Sequence, residues 1–198
     1  MPVLSLSPSA RSWPWLLAGL LLLLLAACSP QHNWRQSRLE GVPLQALLPC
    51  KPDSAQREVP LWGPAQPPVP LHMMSCNVGQ HTFAVAALPL AAPAPGEAAD
   101  RTPAQAEQAW RQAGWASLRQ TVTPPQEAPA GWQMQTATVA GALAAQHWRG
   151  PGMNHQGQPL QVQWLLAHNG RWLVQAALYG PPLSADLAQT FFDGLRLD

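Results

Sequence analysis

Beyond residue 42 the chain is written in short runs where apolar and polar positions alternate, the period of a half-buried β-strand. Val42, Leu44, Ala46 and Leu48 alternate with Pro43, Gln45 and Leu47, and Pro43 places this strand near an edge. Arg57–Trp62, Val69–Cys76 and Gln80–Ala87 read as three more strands. Asn77-Val78-Gly79 separates the last two, which predicts a hairpin. Gln133–Val139, Ala142–Trp148, Leu160–Ala167 and Arg171–Leu178 follow, with a wide turn from Gly150-Pro151-Gly152 to Gly157 between the middle two. The stretch 88–101 is rich in Pro and Ala and reads as a surface loop.

The period changes twice. Thr102 is placed to cap a helix, Pro103 suits its first position, and Gln105 completes a capping box. Ala106, Ala109, Trp110 and Ala113 give that helix one apolar face before Gly114 weakens it. A second helix starts after Ser184 with Asp186 in its first turn, and Leu187, Phe191 and Leu195 recur at four-residue spacing, with Phe192 beside them.

The last hairpin allows a sharper expectation. A three-residue loop, His168-Asn169-Gly170, pairs Leu166 with Trp172, Trp164 with Val174, Val162 with Ala176 and Leu160 with Leu178. One face then becomes wholly apolar and the other carries Gln161, Gln163 and Gln175, whereas a two-residue Asn169-Gly170 turn splits the apolar residues over both faces. If a single face is buried, the first register wins, with Gly170 at positive φ and the terminal helix covering the apolar side.

The beginning of the chain is of another kind. Arg11 is its one charge before an almost unbroken apolar run from Leu16 to Leu25, shorter than the roughly 20 residues a helix needs to cross a bilayer. That length suits the core of a secretory signal. Leu25-Ala26-Ala27-Cys28, followed by Ser29, resembles the lipobox of bacterial lipoproteins, where two small residues precede a cysteine. The resemblance implies cleavage before Cys28, acyl chains (palmitate among them) on that residue, and handling by the lipoprotein maturation and sorting machinery. Two or more chains anchor a protein stably where one does not. With Ser29 next to the lipidated residue, the resemblance implies the outer membrane, facing the periplasm. The chain thus divides into a signal peptide at 1–27, a polar tether at 28–41 and one domain at 42–198.

Strands followed by a helix, then strands followed by a helix, predict an α+β fold, with helices packed against an antiparallel β-sheet. The span Leu44 to Leu197 resembles the Mog1/PsbP-like fold. The likeness rests on Leu48-Pro49-Cys50-Lys51-Pro52, on Thr82-Phe83-Ala84-Val85, and on the ending Trp172 to Ala176 with Phe191-Phe192-Asp193-Gly194-Leu195. It implies topology and no active site, because folds host unrelated tasks.

Charge adds an exclusion. Removing residues 1–27 takes away Arg11 and no acid, leaving ten basic and ten acidic residues. A neutral surface has no electrostatic footprint for nucleic acid. Cys50 and Cys76 are the thiols left after lipidation, and an even pair outside the cytoplasm reads as a disulfide; the alternative is two free thiols. His72, Met74 and Cys76 share a strand face, with Met73 opposite and His81 beyond the turn, a soft ligand set suited to copper(I), unless the disulfide consumes Cys76 and the methionines are core. Eight tryptophans follow residue 28, and an exposed pair such as Trp132 with Trp148 would mark a groove for sugars or peptides, although core positions explain most of them. No nucleophile elbow, phosphate loop or zinc-helix motif is present, so no catalytic residue, resident metal or cofactor is expected. The expectation is a non-enzymatic binding or structural module of the cell envelope, held to the membrane by its lipid anchor and meeting an envelope protein partner. The alternatives are a small-ligand or peptidoglycan-binding module using exposed Trp, and a copper-handling protein.

Overall fold

The structure is a computed structural model that describes residues 32–90, 102–123, 127–182 and 184–198. Cys28, the proposed signal peptide, the start of the tether and most of the Pro/Ala-rich loop lie outside these residues.

Ten strands and two helices are present among the described residues. Strands β3 (Asp53–Val59), β4 (Val69–Val78), β5 (His81–Pro89), β6 (Gln133–Thr136), β7 (Ala144–Met153), β8 (Pro159–His168) and β9 (Trp172–Gly180) form an antiparallel sheet ordered β3-β4-β5-β9-β8-β7-β6. A second sheet, β1-β2-β10, joins β1 (Arg35–Arg38), β2 (Leu44–Leu48) and β10 (Arg196–Leu197). The helices are α1 (Pro103–Ser117) and α2 (Ala185–Asp193). No helix among the described residues is long and apolar enough to cross a membrane.

This corrects the expected α+β class and, with it, the Mog1/PsbP-like expectation. Of the described residues, strands take 47% and helices 16%, in two antiparallel sheets, so the fold is mostly β. The expectation failed because it assigned every strand to one sheet and gave the helices the whole task of covering it. Leu44, Ala46 and Leu48 of β2 are buried as the alternation predicts, but β2 pairs with β1 and β10. Part of the segment read as a tether is therefore strand. Gln36, Ser37 and their neighbours pair through the backbone, whose hydrogen bonds do not require apolar side chains.

The central strands of the seven-stranded sheet, β5, β9 and β8, are buried on both faces. Phe83, Val85 and Ala87 of β5, Leu165 and Ala167 of β8, and Val174, Ala176 and Leu178 of β9 share one core with the second sheet and with Phe191 and Phe192 of α2. The opposite face carries Val162, Trp164, Leu166 and Ala177 against Trp115, Leu118 and Trp132, and Ala86, Leu88 and Leu173 against Ala106 and Trp110 of α1. The β8–β9 register follows from this. Trp164 stands opposite Ala177, Leu166 opposite Gln175 and Val162 opposite Tyr179. Neither sequence-derived register is adopted, and the eight apolar residues expected on one face are divided between two. With both faces covered, burial no longer selects a register, and the turn does. Asn169 Oδ1 accepts from the backbone N–H groups of Arg171 and Trp172 at 3.0 and 2.9 Å, and of these turn residues Gly170 takes a positive φ of 83°.

The α1 capping box forms as written: Gln105 N–H donates to Thr102 Oγ1, and Thr102 N–H to Gln105 Oε1 at 2.8 Å. Ser184 occupies the α2 cap position but makes no side-chain cap bond. Gly114 does not end α1. A Cβ there would lie 2.7 Å from the Trp164 ring, so the missing side chain is what lets the helix settle onto the sheet. Gly150 plays the same part beneath Trp132, at 2.4 Å, so β7 runs through the segment expected to turn.

Cys50, just past β2, and Cys76 of β4 are joined in a disulfide that ties the second sheet to the first. Closing a loop of this sequence separation of 26 contributes about 3.5 kcal/mol in the chain-entropy account. Alkylation of the unfolded, unreduced protein is expected to modify neither residue, and reduction should lower the melting temperature. Two alkylated cysteines in the absence of reductant would exclude the bond.

Candidate functional site

The candidate ligand groups of β4 do not converge. Cys76 is spent in the disulfide, Met74 is buried at 1% exposure, and the His72 ring sits 5.8 Å from that of Trp172. His72 pairs across from Ala87 and His81 from Val78, so the two histidines stand at opposite ends of the hairpin, roughly 20 Å apart along the strands. His81 Nε2 is instead 2.9 Å from the Pro181 carbonyl oxygen. Among the described residues no group of three or more His, Cys, Asp or Glu side chains is placed to hold a metal ion.

Five of the eight tryptophans, Trp110, Trp115, Trp132, Trp148 and Trp164, are buried, and Trp34, Trp62 and Trp172 are half-buried. Trp132 and Trp148 are 8% and 5% exposed, and none of the eight is exposed. Trp115 meets Trp132 and Trp148 edge to face at 5.8 and 5.6 Å, and Trp132 lies 4.7 Å from Trp164. The Arg111 guanidinium covers Trp148 at 4.9 Å and is held by Glu107 at 2.8 Å, which explains how a carboxylate can be buried on α1. Three of the indoles donate to Pro151 O, Gln146 Oε1 and Tyr179 Oη, while Trp115 Nε1 has no partner.

Among the described residues, two side chains are electrostatically perturbed. Burial holds His147 below the ordinary histidine range, the Arg149 charge adds to this, and a hydrogen bond with Gln163 opposes both. Burial pushes the Tyr179 phenol up, against a lowering by its hydrogen bond from Trp164. They occupy opposite faces of the sheet, since His147 pairs with Leu165 and Tyr179 with Val162, so they share no cleft and no proton path.

A cleft of about 310 Å³ lies between α1 and the β3–β4 side of the sheet. Val59, Pro60 and Leu61 form its rim where β3 ends, Leu71 and Leu88 its sheet wall, and Trp110, Ala113 and Gly114 its helix wall. Gln175 and Tyr179, both from β9, lie at its floor. Gln175 is 8% exposed, and its Nε2 is buried with no hydrogen-bond partner. A buried donor left unmade costs about 1–3 kcal/mol, so Gln175 is a weakness for folding. The β-alternation put Gln175 on a solvent face. A signal to the contrary was present, because Val174, Ala176 and Ala177 flank it, and a run apolar at both parities marks a strand covered on both faces.

The chain matches no protein-family model, and comparison with curated proteins finds no relative.

Proposed function

We propose that this is a bacterial envelope lipoprotein, anchored through acyl groups on Cys28, whose folded domain is a non-enzymatic binding module. The observation that supports binding most directly is the cleft beneath α1, whose walls are apolar apart from Ser117 and whose lining includes the buried amide of Gln175. The Leu25–Cys28 run supports the anchor, and Ser29 supports the outer membrane, facing the periplasm. The cleft favours an apolar ligand or partner over a sugar-stacking platform, because Trp132 and Trp148, the pair such a platform was expected to use, are buried in the core.

Anchoring is tested in growing cells. Radiolabelled palmitate should enter the wild-type chain and be lost completely in Cys28→Ala, which should also keep residues 1–27. Label persisting in that variant would sink the anchor. Membrane fractionation of the wild type then separates inner from outer placement.

A further inference from the structure

We infer that the domain pairs with a second copy of itself through the outer edge of β3, the two strands running antiparallel with Ala55 at the twofold axis. β3 is the longest edge strand of either sheet. Its ladder with β4 is unbroken from Asp53↔Ser75 to Val59↔Val69, and six of its seven residues are exposed. Which of its backbone groups point outward follows from the next hairpin. Val78 and His81 flank the two-residue turn Gly79-Gln80 and exchange backbone bonds, so the even-numbered residues of β4 turn their N–H and C=O toward β5. The odd-numbered ones face β3, where they meet Asp53, Ala55, Arg57 and Val59. Ser54, Gln56 and Glu58 are left with their backbone groups aimed outward, and no turn or loop backbone among the described residues bonds them. Inside the strand there is no proline, lysine or bulge to guard that row.

The charges of β3 select the occupant and the register. In a twofold antiparallel pair one residue faces its own copy, and that choice fixes every other pairing. Centring on Asp53, Arg57 or Glu58 sets like charges against each other, and centring on Ser54 puts Arg57 opposite Lys51. Centring on Gln56 matches no charges, and centring on Val59 overlaps the strands only at their ends. Centring on Ala55 puts Asp53 opposite the partner's Arg57, and by symmetry Arg57 opposite the partner's Asp53, on the same face of the joined sheet. Within its own chain neither residue is in an ion pair, the one such pair among the described residues being Arg111 with Glu107. In the same register Ser54 and Gln56 exchange backbone bonds across the joint, and Glu58 N–H meets a Pro52 carbonyl, where the missing proline N–H ends the ladder. The row Met73–Ala55 continues into the same two residues of the partner, apolar across the joint.

The test uses the full chain in growing bacteria, with single added cysteines, mild oxidation and non-reducing electrophoresis. Ala55→Cys should give a dimer band, because the Cα atoms of a non-hydrogen-bonded pair lie about 4.5 Å apart, within disulfide reach. Gln56→Cys, also exposed, should give about fivefold less dimer or none, since its copy is displaced two residues along the strand. In the Ala55→Cys background, Asp53→Arg or Arg57→Asp alone should cut the dimer about tenfold by opposing like charges, and the two together should restore it. All these positions are exposed, so the variants should melt with the wild type. A Gln56 band as strong as the Ala55 band, or a dimer indifferent to the single reversals, overturns the pairing. A double reversal that restores nothing overturns it too. So does an Ala55→Cys crosslink to another protein, which would give this edge a different partner.

Discussion

Replacing Phe191 with alanine should destabilise the domain by about 3–5 kcal/mol, the usual cost of deleting a buried phenyl ring. Phe191 is 1% exposed and meets Phe83 edge to face at 5.2 Å and Phe192 at 5.0 Å. It stands where three elements meet, since its core includes Leu44, Ala46 and Leu48 of the second sheet as well as Val85 and Ala176 of the first. No neighbour can slide into the space without uncoupling the sheets, so the cavity should stay open and the cost should fall at the upper end of the range. For a domain of this size, 1 kcal/mol moves the melting temperature by roughly 2–4 °C, so a drop of about 10 °C or more is expected by circular dichroism. Gln189→Ala, on the exposed side of the same helix, should stay within about 0.5 kcal/mol of wild type. Equal melting points for the two variants would show that α2 does not pack as described.

The parts of the fold legible in the sequence are those where one physical rule acts alone. Alternation over Leu44–Leu48 located β2, a short Gly-containing turn located the β4–β5 hairpin, and Thr102-Pro103 with Gln105 located the start of α1. Elements held by backbone pairing alone were missed or displaced. β3 was expected at Arg57–Trp62 and lies at Asp53–Val59, where six of seven residues are exposed and no side-chain pattern marks the strand. β1, written Arg-Gln-Ser-Arg, reads as a tether until β2 is there to pair with it. The helices were found, but their share of the molecule was overestimated, because counting elements in order does not show which strands leave the main sheet.

The candidate site was less legible, for a related reason. Its residues come from β3, β4, β5, α1 and β9, and no local motif joins them. Tryptophan abundance pointed toward an exposed surface, whereas glycines at 114 and 150 allow the indoles to pack inward. Those glycines were read as a weakness in a helix and as part of a turn. Each makes sense only once the ring that occupies its missing Cβ is known.

The two-faced sheet predicts a second large effect and a way to tell it from the one-faced alternative. Trp164 is 1% exposed, lies 4.7 Å from Trp132, and presses on α1 at Gly114. Trp164→Ala should cost about 3–5 kcal/mol, and it also removes the donor to Tyr179 Oη at the end of the cleft. Were Trp164 on the face covered by Phe191, as a three-residue hairpin loop would place it, the two would share a cavity and their substitutions would be coupled. In the observed register Trp164 belongs to the α1 side and Phe191 to the α2 side, with no core residue in common. Combining the alanine variants would consume most of the roughly 5–15 kcal/mol available to a domain, so the cycle calls for milder changes, Trp164→Phe and Phe191→Leu. Their destabilisations, measured by denaturant unfolding, should add within about 0.5 kcal/mol, as expected for sites without shared partners. A coupling of 1 kcal/mol or more would place both rings in one core and overturn the register.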